Sequence, residues 1–239
     1  WVLRKNMPEK KPSATSPTGR LKPGEARKIV ASLRKAASQI VPEMSQAIFA
    51  HMDTELLELA KNAESNAEQN EYFEAMSSLE KAKKQVNQDF LKEILNQFDE
   101  PRSLEELLTE RRQRTDAKKE QSEKQVKLSL VNTEEFEAWL AIENTISRGE
   151  RIYEKFLFEL TQRMGMMIPS WKNKDANPLG TTVFTHAFDH AIDKVDLSKE
   201  IRQRVYAGYE SKVLPLFRKL YISTTSLMED AGVFPKLNE

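Results

Sequence analysis

Two histidines four residues apart are the sharpest chemical feature of this sequence. His186 and His190 fall on one face of a predicted helix, with Asp189 and Asp193 beside them. Two imidazoles at that spacing, joined by the Asp193 carboxylate, can form a Zn²⁺ ligand set and so a metal-dependent enzyme site. The pattern departs from the zincin HExxH helix, because Ala187 follows His186. Phe184, Phe188 and Ile192 supply the buried stripe, so the plainer reading makes both histidines polar-face residues. His51, the third of three histidines, lies in a stripe with Phe49 and Met52 and reads as structural. There is no Cys, which removes disulfides, thiolate nucleophiles and Cys-ligated metals. No GxSxG elbow, P-loop or dinucleotide fingerprint occurs, and the scattered glycines build no phosphate-cradling loop. No catalytic residue and no cofactor is therefore expected.

Three further clusters admit a binding role. Asn66, Gln69 and Asn70 sit with Asn62 at a predicted helix corner, as hydrogen-bonded structural amides or as a ligand site. Met164, Met166 and Met167 lie close to Trp171. Flexible thioethers of this kind either close a helical core or offer an adaptable partner surface. Glu110 with Arg111, Arg112 and Arg114 reads as a solvated charge run diluted by Asp116, Glu120 and Glu123.

The elements that must position these residues are helical. Apolar residues recur at spacings of three and four from Ile29 to Ile40, Met44 to Ala63, Tyr72 to Phe98, Phe136 to Met164 and Val183 to Val195. Two further helices run through Ile201–Tyr209 and Leu216–Met228. Pro42 is expected to interrupt the first stretch, Pro101 to end the third, Asp196 or Ser198 to cap, Pro215 to separate or kink, and Gly232 to close the last helix. Only seven glycines occur in 239 residues, which favours long helices over many tight turns. The fold class predicted is all-α, with two lobes of long antiparallel helices joined by a charged linker. The boundaries are a flexible tail over 1–22, an N-terminal lobe over 23–101, a linker over 102–127 and a C-terminal lobe over 128–239. Asn132 and Glu135 resemble a helix cap.

Lys+Arg and Asp+Glu both number 37. Without a basic excess, nucleic acid is not expected as a partner. No apolar run reaches the ~20 residues needed to span a bilayer, and no signal peptide is evident; a cytoplasmic location is expected. The chain begins with Trp1 rather than Met and reads as part of a longer polypeptide.

Several stretches carry a family resemblance. They are Asn66-Ala67-Glu68-Gln69-Asn70 followed by Tyr72-Phe73 and Met76; Leu128-Ser129-Leu130-Val131 with Phe136-Glu137 and Ala141-Ile142-Glu143-Asn144; Asn177-Pro178-Leu179-Gly180; and Val213-Leu214-Pro215 through Tyr221 to Ala231-Gly232-Val233. In this order, from about Lys22 to Pro235, they resemble the bacterial domain-of-unknown-function family sixteen thirty-one. The resemblance implies the N-terminal part of a large cytoplasmic protein. Some members carry a PilZ-type cyclic di-GMP-binding domain elsewhere, and some are labelled thymidine phosphorylase. The PilZ motifs are absent here, so cyclic di-GMP is not expected to bind this segment directly. Residues 102–127 match no family pattern.

The leading expectation is a non-catalytic helical scaffold or protein-interaction module of a larger bacterial regulatory protein, within cyclic di-GMP signalling, with protein partners or self-association. Two alternatives stand beside it. One is a sensor holding a nucleotide or other small molecule between helices near Asn66–Asn70 or Asn177–Gly180. The other is a metal-dependent enzyme built on His186, His190 and Asp193.

Overall fold

In the computed structural model, α1 runs unbroken from Pro23 to Lys61. Its buried stripe (Leu33, Ala37, Val41, Met44, Ile48, Met52, Leu56) keeps helical period throughout. The expected interruption at Pro42 does not occur. Pro42 lies on the exposed side, and Ser38, whose carbonyl loses its i+4 donor, is only partly buried, within reach of water. Burial of Ile40, Val41 and Met44 on the opposite side carries the helix through.

The structure describes residues 23–102, 105–106, 109–110, 113 and 133–233. The expected tail over 1–22, the Leu128–Val131 stretch, the Asn132 cap and most of the 102–127 linker lie outside the described residues.

The corner after α1 is built as its polar composition suggests. Ser65 caps α2 (Asn66–Asp99), its hydroxyl accepting from the Glu68 amide, while the Glu68 carboxylate accepts from the Glu64 amide. The α2 helix folds back along α1, so that Arg34 near the start of α1 pairs with Asp99 at the end of α2. Tyr72, Leu79, Val86, Phe90, Ile94 and Phe98 form its buried stripe. Phe73, expected in that stripe, is instead 46% exposed.

A single long helix from Phe136 to Met164 is not what forms. The chain breaks at Tyr153 into α3 (Thr133–Ile152) and α4 (Glu154–Met167). Tyr153 leaves helical geometry at φ −111, ψ 18. Its hydroxyl donates to the Leu214 carbonyl at 2.7 Å, and its ring packs against Phe217 and Tyr221. A side chain anchored from outside the helix has overridden local propensity.

Two short 3-10 turns, Pro169–Lys172 and Lys174–Ala176, then lead to α5 (Thr181–Ile192). Ser198 caps α6 (Lys199–Gly208), accepting from the Ile201 amide. The Pro215 region is neither a clean break nor a simple kink. A π-turn at Tyr209–Val213 and a 3-10 turn at Leu214–Leu216 lead into α7 (Phe217–Asp230). Gly232, at φ 75, closes α7 with a Schellman pair, its amide donating to Glu229 and that of Val233 to Met228.

One hydrophobic core includes residues from both sides of the charged stretch. Phe90 of α2 meets Phe184 and Phe188 of α5 edge-on, with centroids at 6.0 and 5.8 Å. The all-α class holds, and the described residues contain no strand. No helix among them is long and apolar enough to cross a membrane.

Candidate functional site

Helix α5 carries a polar site at each end, and the two differ in kind. At the C-terminal end, the α2–α5 aromatic contacts set His186 and His190 facing α2. His190 Nδ1 lies 3.1 Å from Glu93 Oε1. Glu93 Oε2 accepts from Arg102 at 2.8 Å, and Arg102 also donates to Glu110 at 2.8 Å. The His190 hydrogen bond, followed by that from Arg102, outweighs burial and lowers the Glu93 carboxyl to about 2. Gln97, fully buried, donates to the Arg102 carbonyl at 2.7 Å. These groups enclose a cavity of about 20 Å³ lined by Glu93, Gln97, Arg102, His186 and His190, room for about one water.

The predicted metal set is thus only partly brought together. His186 and His190 share this cavity, but Asp193 turns towards Arg202, 3.7 Å away. Among the described residues no three His, Cys, Asp or Glu side chains are grouped so as to hold a metal ion. Glu93 and Arg102, the partners that define the cluster, come from a distant helix and the turn after it, and carry no motif that would reveal them in sequence.

At the N-terminal end the chain opens instead of closing. Gly149 lets α3 approach this point, since a Cβ there would lie 2.9 Å from Thr181 Cγ2. The break at Tyr153 then swings α4 away. Between α3, α4 and the segment before α5 lies an open cleft of about 530 Å³. Ser147, Glu150 and Arg151 of α3 form one wall. Glu154, Leu157, Phe158, Thr161 and Gln162 of α4 form the floor, and Lys174 with Gly180–Thr182 the other wall.

The loop in front of α5 is held rigidly. Asn177, fully buried, accepts from the Leu179 amide at 3.0 Å and donates to Thr161 at 3.4 Å. Its carbonyl accepts from Gly180 at 2.8 Å. Glu150 bridges the walls, accepting from Lys174 at 2.9 Å and from the Thr182 hydroxyl at 3.3 Å. The Glu150 hydrogen bond raises the Lys174 pKa, and burial followed by the Glu150 charge raises that of Asp175. Of the Asn177–Gly180 segment expected as a small-molecule site, Gly180 lines this cleft, while Asn177 and Leu179 are buried behind it. Its charged wall residues, Glu150, Arg151 and Lys174, carry no motif in the sequence. The chain brings them together only through the Gly149 approach and the Tyr153 break.

The other flagged clusters are mainly structural. Gln69 donates to the Ala60 carbonyl at 2.8 Å and fixes the α1–α2 corner, while Asn66 and Asn70 are exposed. Met164 and Trp171 are fully buried, with Trp171 edge-on to Phe98 at 5.8 Å. They belong to the core and not to a partner surface. Met167 is half-buried, and Met166 alone of the four is exposed.

Residues 25–232 match the sequence model of the N-terminal domain described as "Protein of unknown function (DUF1631)". The chain belongs to this family. No curated protein and no solved structure matches it. In this DUF1631 N-terminal domain, the Asn177-Pro178-Leu179-Gly180 stretch that carried part of the resemblance leads into α5, and its last residue, Gly180, lines the cleft.

Proposed function

We propose that this domain is a non-catalytic helical module that binds a small molecule in the cleft at the N-terminal end of α5, within a larger regulatory protein. One observation carries the reading. The cleft's 530 Å³ lies within the roughly 300–1,000 Å³ of ligand pockets, and it combines apolar floor residues with a few convergent polar groups. The histidine cluster at the other end has room for no substrate, and its ionisable groups are engaged with one another. The cyclic di-GMP setting rests on the family resemblance alone.

A thermal-shift screen of metabolites against the full chain tests the proposal. A ligand that binds the folded state raises its melting temperature by mass action. Hits are expected on the wild type and are expected to vanish in Ser147→Trp, which fills the cleft from its exposed wall. No hit, or hits unaffected by Ser147→Trp, overturns the proposal.

A second reading, a protein-interaction module that self-associates, is favoured by the large apolar side chains exposed on α3 and α4. Trp139, Leu140, Ile152 and Met166 are 37%, 41%, 54% and 36% exposed. Light scattering that gives the mass of a monomer at high micromolar concentration removes self-association.

A further inference from the structure

We infer that the cleft takes an organic anion. Its carboxylate or phosphate head sits at the N-terminal end of α5, and its apolar body lies across Leu157 and Phe158. This deepens the ligand-binding reading above and rests on it.

Three observations point to an anion. The first turn of α5, a helix of 12 residues, borders the cleft, and no side chain caps it at Gly180. The amides of Thr181, Thr182 and Val183 have no acceptor within their own helix. The aligned peptide dipoles also place partial positive charge there. Second, Thr181 lines the cleft and is only 1% exposed, yet its hydroxyl has no hydrogen-bond partner among the described residues. A buried hydroxyl left in this state is costly, and an acceptor supplied by a ligand removes the cost.

The third observation is the balance of charge. Arg151 lines the cleft, is exposed, and forms no ion pair with another described residue. Of the two carboxylates in the lining, Glu150 is already neutralised by Lys174 at 2.9 Å. Glu154 occupies the first turn of α4, where the dipole of its own helix offsets its charge. A ligand ammonium would therefore compete with Lys174 for Glu150, whereas an anionic head meets the Arg151 guanidinium, which has no ion-pair partner among the described residues, and a helix end. Phe158, 61% exposed, and half-buried Leu157 offer the body an apolar surface.

The test uses three probes that share a phenyl ring, at matched millimolar concentration on the full chain: phenyl phosphate, 3-phenylpropionate and phenethylammonium. The two anions are expected to raise the melting temperature and the cation to leave it unchanged. The larger of the two anion shifts assigns the head as phosphate or carboxylate. Arg151→Glu is expected to weaken the better anion by about tenfold or more, the loss of one charge-assisted hydrogen bond. Thr181→Val, which keeps the shape, is expected to weaken it too while leaving the free protein's melting temperature unchanged or slightly raised. A shift with phenethylammonium alone overturns the anion assignment but leaves the cleft as a ligand site. Anion shifts that persist undiminished in both variants place the anion elsewhere and also overturn the assignment. No shift with any probe overturns it as well. The metabolite screen with Ser147→Trp then decides separately whether the cleft binds other chemistry.

Discussion

The two ends of α5 are both lined by ionisable and polar side chains, yet one is closed and the other open. At the C-terminal end His190, Glu93, Arg102 and Glu110 are consumed in mutual contacts around a space for one water. At the N-terminal end, Glu150 and Lys174 satisfy each other, but among the described residues Arg151 and the Thr181 hydroxyl do not find such partners, and the space is some 530 Å³. Polar residue type alone does not separate a structural clasp from a binding site. What separates them is the room that remains for anything else, about one water at the C-terminal end against some 530 Å³ at the N-terminal end.

If the C-terminal cluster is a clasp, removing its central carboxylate should have the largest effect on stability. Glu93→Ala leaves the Arg102 guanidinium and His190 facing one another without their shared anion, with the Glu93 side chain only 15% exposed in the native protein. Loss of one partner from a largely buried pair costs about 3–5 kcal/mol. Denaturant unfolding should read a loss of about that size with little change in probe binding at the cleft. An unchanged midpoint would remove the distinction between the two ends.

The same pair sharpens the comparison through pH. Glu93 titrates at about 2 in the folded chain against 4.5 for an ordinary glutamate. A carboxyl depressed by folding binds more protons in the unfolded state, so its stabilisation is fully present above the ordinary value. It is lost as pH falls from about 4.5 towards 2. Equilibrium unfolding between pH 6 and 2 should show a steeper acid loss for the wild type than for Glu93→Gln. Equal slopes would show that the clasp contributes nothing of its own.

Much of the fold was legible because helical burial is periodic. The stripes from Ile29 to Leu56 and Tyr72 to Phe98, the Ser198 cap and the Gly232 terminus all follow from local rules. Two of the departures share one cause, which is tertiary contact overriding local signal. Pro42 is carried within α1 because its neighbours are buried, and Tyr153 breaks a continuous amphipathic pattern because its hydroxyl reaches the Leu214 carbonyl. The candidate site was legible only at its lip. Asn177 and Gly180 mark a turn by residue type, but a cleft is a property of how α3 and α4 diverge, and no spacing within one helix encodes that. Likewise the i,i+4 pattern announced His186 and His190, while Glu93, which decides what His190 does, belongs to another helix.

The smallest effect on stability should come from the cleft floor, where the largest effect on binding is expected. Phe158 is 61% exposed, so Phe158→Ser removes little buried surface, and the free protein's unfolding free energy should change by no more than about 0.5 kcal/mol. If Phe158 supplies the surface for a ligand's apolar body, the same variant should lose most of the melting-temperature rise produced by an aromatic anion. A substitution that is silent without ligand and severe with it belongs to a binding surface, because its contacts exist only in the complex. If Phe158→Ser instead destabilises the free chain by several kcal/mol, the floor is packed more tightly than its exposure implies. The contrast between the closed and open ends of α5 would then fail.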